Sequence, residues 1–242
     1  MKILKNEKIE SEILSNYIKE NFHNCSTKLQ ILEAGCGRQW AIDLSGLHFE
    51  LTGIDINQKS LEIRKTKYND LDTIIIGDLQ TVDLEHNKYE VIYNSYVLEH
   101  IKNAEKVLNN FFSWLKPDGV LILKIPDGKS VYGFITRITP FKFHIFVRRH
   151  IFRKKNAGKP GYGPFPTYYS NIISRDGIRK YCQNKNHTVI AEYGINYYIS
   201  SLNFFNKVFV TFFVKLISVL SLGRLCSSHN ALIYIIKKST VI

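Results

Sequence analysis

Short apolar runs alternate with longer stretches of helical spacing along the first half of the chain. Apolar runs bounded by turn residues predict strands, and apolar residues that recur every three or four positions predict helices. The predicted strands are residues 29–32, 49–54, 73–76, 89–93, 120–125, 188–193 and 231–236. The predicted helices are residues 3–22, 58–67, 103–115 and 176–184, and Asn57 is a suitable N-cap for the second of them.

The order of these elements predicts an α/β fold with a Rossmann-like sheet. Strands that alternate with helices form βαβ units, whose right-handed crossovers bring the loops after the strands to one edge of the sheet. Ligands bind at that edge. A chain of 242 residues fits one such domain. Its predicted parts are an N-terminal helical cover (1–28), a ligand-binding core (29–125), an insertion (126–175) and a C-terminal region of helices and last strands (176–242).

The first predicted strand of the core runs into a glycine-rich loop, Glu-Ala-Gly-Cys-Gly-Arg over residues 33–38. Gly35 and Gly37 allow the backbone to turn sharply and to lie close to a ligand. Asp55 ends the next strand twenty residues after Gly35, where an acid accepts hydrogen bonds from both hydroxyls of a ribose. Together with Gly77-Asp78 after the third strand, these residues predict a nucleoside-binding site.

Two classes of cofactor compete for this loop. The dinucleotide fingerprint requires a third glycine three residues after the second one, and Trp40 occupies that position. NAD and FAD are therefore disfavoured. S-Adenosylmethionine carries no phosphate and does not need that glycine, and Glu33 suits its cationic amino group.

Five motifs, taken in order, resemble those of the class I S-adenosylmethionine-dependent methyltransferases. They are residues 33–37, Asp55, residues 77–79, residues 89–101 with the segment Leu98-Glu99-His100, and residues 115–119. The chain is most similar to the small-molecule branch, the type 11 and type 12 methyltransferases. Gln39 departs from the pattern, because the commoner family loop has a third glycine there.

The resemblance implies a seven-stranded sheet whose last strand is antiparallel, S-adenosylmethionine as cofactor and S-adenosylhomocysteine as product. It also implies roles for the residues that follow the core strands. These are Glu33, Gly35, Cys36 and Gly37 at the methionine part, Asp55 at the ribose, Ile56, Asp78 and Leu79 at the adenine, and Asn94 and Ser95 beside the methyl donor.

Charge is spread unevenly along the chain. The net charge is +12, and from residue 126 onward the sequence has 18 basic and three acidic residues. Such asymmetry indicates an anionic partner for that half. We expect residues 126–175 to form a lid over the site, the alternative being a solvated basic loop. Arg148, Arg149, Tyr168 and Tyr169 are the candidate acceptor-binding residues of this lid.

Transfer of a methyl group from a sulfonium is an in-line displacement, which requires an aligned acceptor. An oxygen acceptor also benefits from a base. His100 is the candidate catalytic base because it closely follows the fourth core strand and an imidazole titrates near neutral pH; a packing histidine is the alternative. Quinone-precursor O-methyltransferases place a metal on Glu-x-x-Glu-His, but Tyr96 occupies the first of these positions. We therefore predict no metal.

Residues 203–222 form an apolar, aromatic stretch that approaches the length of a transmembrane helix. Lys207 and Lys215 interrupt it, which disfavours a membrane span. A partly buried helix, a homodimer surface and an interfacial helix on anionic lipid are the alternatives. The N-terminus lacks the apolar core of a secretory signal and the four cysteines form no Cys-x-x-Cys pair, which favours the cytoplasm.

We therefore expect an enzyme that moves a methyl group from S-adenosylmethionine to a small-molecule acceptor, at oxygen. The basic half favours an anionic, lipid-linked or glycan-linked acceptor. One alternative is an RNA methyltransferase whose basic lid contacts phosphates, and another is a non-catalytic protein with this fold. A DNA enzyme is disfavoured, because the fourth strand does not end in Asn/Asp-Pro-Pro-aromatic and the chain has no Pro-Cys pair.

Overall fold

Helices cover both faces of one mixed sheet. A computed structural model describes residues 1–23, 25, 27–38, 40–151, 153–159, 162–168, 170–200 and 202–240. Within these ranges the strands are β1 (Lys2–Leu4), β2 (Leu29–Ala34), β3 (Phe49–Asp55), β4 (Thr73–Ile76), β5 (Tyr89–Ser95), β6 (Leu115–Pro126), β7 (Thr188–Ile195) and β8 (Ala231–Lys237).

The helices occupy the connections between these strands. They are α1 (Glu7–Phe22), α2 (Gln58–Ile63), α3 (Ala104–Trp114), α4 (Val131–Ile138), α5 (Phe141–His150), α6 (Arg175–Asn184), α7 (Tyr197–Ser200) and α8 (Phe204–Leu220). A π-helical turn, Arg64–Tyr68, continues α2, and a 3₁₀ turn, Leu98–His100, precedes α3. Asn57 caps α2 as predicted, since its side chain accepts from the Ser60 N–H at 3.1 Å.

The strand order is β1-β7-β8-β6-β5-β2-β3-β4. Strand β8 is antiparallel to both of its neighbours, and the other pairs are parallel. This arrangement confirms the predicted Rossmann-like sheet with helices on both faces and an antiparallel last strand.

The prediction of seven strands is wrong, because the described part of the chain contains eight. Residues 2–4 pair in parallel with β7, with Lys2 opposite Tyr193, although residues 3 and 4 were expected to begin the first helix. The cause is local: Asn6 caps α1 by accepting from the Ile9 N–H at 3.0 Å, so the residues before it cannot continue the helix. They remain extended and cover the edge of β7.

The carboxyl ends of the parallel core strands lie together along one edge of the sheet. Ala34 stands opposite both Ile54 and Asn94 in the register of β2 with β3 and β5. Asp55 pairs with Ile76 on β4, and Ser95 pairs with Lys124 on β6. The predicted cofactor motifs therefore meet at this edge, which we call the carboxyl edge.

Each face of the sheet carries its own hydrophobic cluster. On one face, α1 buries Leu14 and Ile18 against β2 and β5, and the loop between β2 and β3 adds Ile42 and Leu44 where a helix would be usual. On the other face, α3 and α6 bury residues such as Phe111. Each large apolar side chain buried in this way contributes about 1.5–3 kcal/mol to the stability of the fold. This packing fixes the strands whose ends form the carboxyl edge.

The insertion, residues 126–175, contains two helices that its sequence pattern did not predict. Ser130 caps α4 by accepting from the Gly133 N–H at 2.9 Å. Helix α4 then packs against α8, with Val131, Tyr132 and Val214 buried between them. Helix α5 has no buried residue, and its irregular spacing of apolar residues explains why periodicity did not indicate it.

Residues 116–119, Lys-Pro-Asp-Gly, follow α3 and are of the types that favour a turn. They belong to β6, but the register shifts there, so that Leu115 is opposite Tyr89 whereas Val120 is opposite Val91. Asp118 adopts a left-handed φ of 63°. The turn residues therefore produce a bulge in a long strand. No helix of the described segments is long and apolar enough to cross a membrane.

Candidate active site at the carboxyl edge

The glycine loop folds back over β3. The N–H groups of Gly35 and Cys36 donate to the Ile54 carbonyl at 2.8 and 3.0 Å. Gly35 has a φ of +74°, and a Cβ there would lie 2.3 Å from Val97 Cγ2, so no larger residue fits. Gly37 has a φ of +56° and open space where a Cβ would point, which leaves room for a ligand against its backbone.

A buried arginine that the sequence prediction missed holds this loop from below. Arg64 Nη1 donates to Glu33 Oε2 at 2.9 Å and to the Cys36 carbonyl at 3.0 Å, while its Nε donates to Asp70 Oδ1 at 2.8 Å. The Arg64 side chain has no exposed surface. Residues 58–67 predicted only a helix, and no pattern in that helix distinguished the residue that turns inward.

The Glu33 carboxyl and the Cys36 thiol, the two ionisable groups at the start of this loop, are both buried. Burial raises the pKa of Glu33 to about 8, against the opposing charge of Arg64. Burial also raises the pKa of the Cys36 thiol to about 12, so this thiol is inert at neutral pH. Glu33 therefore anchors Arg64 beneath the loop, and Cys36 fills space in it.

The Asp55 carboxylate lies at the end of β3 and is half-buried. Its Oδ2 accepts from the Gly37 N–H at 2.8 Å, and its Oδ1 accepts from the Asn57 N–H at 2.7 Å. A carboxylate has about four acceptor positions. Each oxygen therefore retains one position for a further donor, which is what two ribose hydroxyls require.

The predicted adenine residues lie after β3 and β4. Ile56 is 74% exposed beside Asp55, so it offers an apolar surface that a planar base would cover. Asp78 is half-buried and its Oδ1 accepts from the Gln80 N–H at 2.9 Å. Leu79 is buried in the core between α3 and the sheet, and its backbone carbonyl accepts from Asn110 Nδ2 at 2.8 Å.

Asn94 and Ser95 end β5 next to the glycine loop. Asn94 Nδ2 donates to the Ala34 carbonyl at 2.8 Å, which fixes the amide orientation. Its buried Oδ1 has no hydrogen-bond partner among the described residues. An orphaned acceptor, the free positions on Asp55 and the space beside Gly37 together fit a nucleoside with a cationic amino group.

His100 closes the 3₁₀ turn after β5 and is partly buried. Its Nδ1 lies 2.7 Å from the Pro166 carbonyl, which can only accept, so Nδ1 carries the proton. In the neutral ring Nε2 is then the basic nitrogen. Burial lowers the pKa of His100 and the charge of Arg148 lowers it further, against the Pro166 hydrogen bond.

Glu99 precedes His100 and is buried with it. Burial raises the pKa of the Glu99 carboxyl to about 8. Its Oε1 lies 3.8 Å from His100 Nε2, and its Oε2 has no partner in the described part of the chain. No group of three or more His, Cys, Asp or Glu side chains there could hold a metal.

The insertion crosses this site. The Arg38 guanidinium lies 4.0 Å from the centre of the Tyr162 ring, which joins the glycine loop to the insertion. Further along, Pro166 accepts from His100, and the Tyr168 N–H donates to the Glu99 carbonyl at 2.7 Å. The insertion therefore contacts both ends of the candidate site.

The four predicted acceptor residues have different environments. Arg148 is close enough to His100 to affect its pKa, and Tyr168 is 40% exposed above Glu99. Arg149 instead donates from Nε to the Ala157 carbonyl at 2.8 Å, inside the insertion. Tyr169 lies outside the described residues, as does Gln39 of the glycine loop.

A second buried polar group, also missed from the sequence, joins the N-terminal helix to the carboxyl edge. Glu10 of α1 accepts from Lys124 Nζ at the end of β6 and from the hydroxyl of Tyr197. Glu10 and Lys124 are 4% and 8% exposed. An acid on α1 gave no signal for this role, because its partner is more than a hundred residues away in sequence.

Comparison with known proteins identifies the family. A family model described as a methyltransferase domain matches residues 6–192. The ubiquinone biosynthesis O-methyltransferase of Rickettsia typhi is 34% identical over 131 residues, which cover 52% of this chain and 52% of the relative. The chain thus spans about half the length of the curated relatives it matches.

Solved structures share the fold. A SAM dependent methyltransferase from Archaeoglobus fulgidus superimposes with a TM-score of 0.56 at 13% identity, covering 94% of both chains. Phosphoethanolamine N-methyltransferase 2 of Haemonchus contortus, solved in complex with S-adenosyl-L-methionine, gives a TM-score of 0.57 at 14% identity, covering 94% of this chain and 53% of the other.

The chain belongs to the methyltransferase domain family, because the family model spans more than half of its length. The predicted membership of the class I S-adenosylmethionine-dependent methyltransferases is confirmed, and so is S-adenosylmethionine as the cofactor.

Proposed function

We propose that this protein transfers a methyl group to an oxygen atom of a small-molecule acceptor that lies between the insertion and the carboxyl edge. The observation that carries the proposal is the position of His100 beneath the insertion, with a protonated Nδ1 and a basic Nε2. Relatives named ubiquinone biosynthesis O-methyltransferase support oxygen as the acceptor atom.

When bound, S-adenosylmethionine supplies an electrophilic methyl group on its sulfonium centre. Asp55 would bind the ribose hydroxyls, the Gly35–Gly37 backbone would hold the methionine part, and Ile56 would cover the base. Asp78 would accept from the adenine amino group, and Asn94 and Ser95 would contact the methyl donor. Arg64 and Glu33 keep the glycine loop in the shape that these contacts require.

His100 acts on the acceptor. Its Nε2 would take the proton of the acceptor hydroxyl as that oxygen gains the methyl group. The methyl–sulfur bond of the donor would break in the same displacement, and its electron pair would leave with S-adenosylhomocysteine. A depressed pKa suits this role, because the imidazole is then neutral at pH 7 and ready to accept a proton. The carbonyl of Pro166 holds the ring in the required tautomer.

The acceptor that suits this site is anionic. Arg148 lies near His100, and its guanidinium can bind a carboxylate or phosphate through two parallel hydrogen bonds. Tyr168, whose N–H donates to the Glu99 carbonyl, adds a partly exposed aromatic ring. A phosphorylated, carboxylated or lipid-linked acceptor meets both features.

We also propose an anionic membrane surface as a partner, with a peripheral location. The sequence from residue 126 onward carries 18 basic and three acidic residues, and from residue 193 to residue 242 it has no acidic residue at all. Basic segments of this kind bind the negative surface of anionic bilayers.

Transfer of a tritiated methyl group tests the proposed reaction. Purified protein is incubated with labelled S-adenosylmethionine and a cell extract that is then separated into aqueous small molecules, lipids and RNA. We expect label in the small-molecule or lipid fraction. His100→Ala should reduce transfer by about 10²–10⁴-fold while the affinity for S-adenosylhomocysteine is retained.

His86→Ala is the matched control, because His86 is an exposed histidine between β4 and β5. It should transfer at the wild-type rate. Wild-type activity should fall only when pH drops below the ordinary histidine value, since the pKa of His100 is lowered. Label confined to RNA would contradict the acceptor class, and normal transfer by His100→Ala would contradict the base.

A further inference from the structure

Helix α8 has two apolar faces, of which the protein covers one. Val214 is buried against α4, and Val210 and Ile217 pack beside it. On the opposite face, apolar side chains recur every three or four residues and remain exposed. They are Val208 (55%), Phe209 (63%), Phe212 (61%), Leu216 (41%), Val219 (71%) and Leu220 (73%).

An apolar face of this size requires a cover. Soluble monomers rarely expose contiguous apolar patches larger than a few hundred Å² unless the patch binds something. Surface helices normally place polar residues on the outer side. Phe209 and Phe212 stand where those polar residues would be, so the outer face of α8 has the composition of a docking surface.

The charges around α8 indicate which kind of partner fits. Lys207 and Lys215 lie on the helix and are exposed, and Arg224 is exposed shortly after it. No acidic residue occurs between residues 193 and 242. In a two-fold dimer this face would meet itself, bringing like charges together without an acid to pair with them.

Helix α5 has a related composition and follows α4 directly. It exposes Phe143 (48%) and Phe146 (54%), with the exposed Lys142 beside them in the sequence. Aromatic side chains combined with lysines are typical of helices that lie in the headgroup region of a bilayer, where apolar side chains insert and basic groups bind anionic lipid.

We propose that the outer face of α8 is the surface that docks on an anionic phospholipid bilayer. This inference rests on the proposed membrane contact and names the element that makes it. Phe209 and Phe212 insert among the acyl chains, while Lys207 and Lys215 contact the headgroups. A bilayer occupies a broad apolar face without requiring a complementary acidic surface.

Sedimentation with lipid vesicles tests this proposal. Wild-type protein is mixed with vesicles of equal parts phosphatidylglycerol and phosphatidylcholine, and separately with phosphatidylcholine alone. We expect binding to the anionic vesicles that is weaker at high salt. The double variant Phe209→Ser/Phe212→Ser should bind at least about tenfold more weakly, and Lys207→Gln/Lys215→Gln should lose binding several-fold.

Ile190→Ser is the control, because Ile190 is a 46% exposed apolar residue on β7, away from α8. It should bind vesicles as the wild type does. Each variant is also titrated with S-adenosylhomocysteine, and unchanged affinity shows that the domain is folded. Vesicle binding that persists in Phe209→Ser/Phe212→Ser would overturn the assignment of α8.

A dimer seen by light scattering that this double variant dissociates, with no vesicle binding by the wild type, would also overturn it. In that case a second copy of the chain covers the face. Methyl transfer to a small-molecule acceptor would stand in both cases. Failure of the proposed reaction instead appears as absent label transfer by a wild-type protein that still binds vesicles.

Discussion

Glu99 and His100 are neighbours whose ionisation is set by the same burial. Desolvation raises the pKa of the carboxyl to about 8 and lowers that of the imidazole, so both side chains favour their neutral forms near pH 7. A neutral imidazole can accept a proton, and a neutral carboxyl beside it does not hold that ring as an ion pair. The tautomer of His100 is then set by Pro166 alone among the described groups.

Glu99→Gln should change how stability depends on pH. The folded pKa of about 8 lies above the value near 4.5 of a free carboxyl, so the folded state binds the proton more tightly. Stability from this group is complete below pH 4.5 and is lost as pH rises toward 8. The variant should remove that loss and be more stable at pH 8, by up to a few kcal/mol at about 1.4 kcal/mol per pKa unit.

Urea unfolding at pH 5 and pH 8 measures this effect. Glu105→Gln is the control, because Glu105 is an exposed acid on α3. In Glu105→Gln, the free energy of unfolding should differ between pH 5 and pH 8 by the same amount as in the wild type. A Glu99→Gln protein that is less stable than the wild type at pH 8 would show that the carboxylate is stabilised in the fold.

At the scale of secondary-structure elements, Arg64 links α2 to three other parts of the chain. It stands where α2 passes into the π-helical turn, and it contacts Glu33 at the end of β2, Cys36 in the glycine loop and Asp70 before β4. The glycine loop thus has a charged support below and open space above Gly37. This arrangement shapes the loop before any ligand binds, which reduces the cost of ordering it.

Arg64→Met should destabilise the fold by about 2–4 kcal/mol, because it leaves the buried Glu33 carboxyl and the Cys36 carbonyl without their donor. Chemical unfolding measures the change. Lys59→Met, an exposed substitution on α2, should stay within about 0.5 kcal/mol of the wild type. Adding Glu33→Leu to Arg64→Met should recover part of the loss, and no loss from Arg64→Met would contradict the support role.

At the scale of the whole molecule, charge divides where the insertion begins. The core that carries the glycine loop, Asp55 and Asp78 is close to neutral, and the basic excess belongs to the insertion and the C-terminal region. The insertion contacts Arg38 of the glycine loop through Tyr162 and contacts His100 through the Pro166 carbonyl. Under the proposed function, this distribution of charge directs anionic groups to the acceptor side of the site.

The sequence indicated the core of this fold well and its charged interior poorly. Residues 120–125 of β6 form a nearly continuous apolar run, because a strand inside this sheet is buried on both faces, and such a run is visible in a sequence. The edge strand Lys2–Leu4 was missed because three residues show no period, and its pairing with β7 depends on a distant partner.

In the candidate site, too, some residues could be predicted from the sequence and others could not. Residues that follow strands, such as Asp55 and Asn94, could be predicted because strand ends meet at one edge. Arg64 and Lys124 could not be predicted, because their roles depend on buried contacts with Glu33 and Glu10 that no local pattern announces. Helix α5 was not predicted, because none of its residues is buried and it therefore has no apolar face that recurs with helical period.

Calorimetric titration with S-adenosylhomocysteine tests the central claim, that the cofactor binds at the carboxyl edge through Asp55. Asp55→Ala should weaken binding roughly 10²- to 10⁴-fold, because it removes the acceptor of two ribose hydroxyls and hydrogen bonds to a charged acceptor contribute about 1.5–3 kcal/mol each. Asp72→Ala is the matched control, since Asp72 also accepts a backbone N–H, from Leu51 at 2.8 Å, but it precedes β4, whereas Asp55 ends β3 at the carboxyl edge. Wild-type affinity in Asp72→Ala together with the loss in Asp55→Ala is the predicted result. Unchanged affinity in Asp55→Ala would contradict the account.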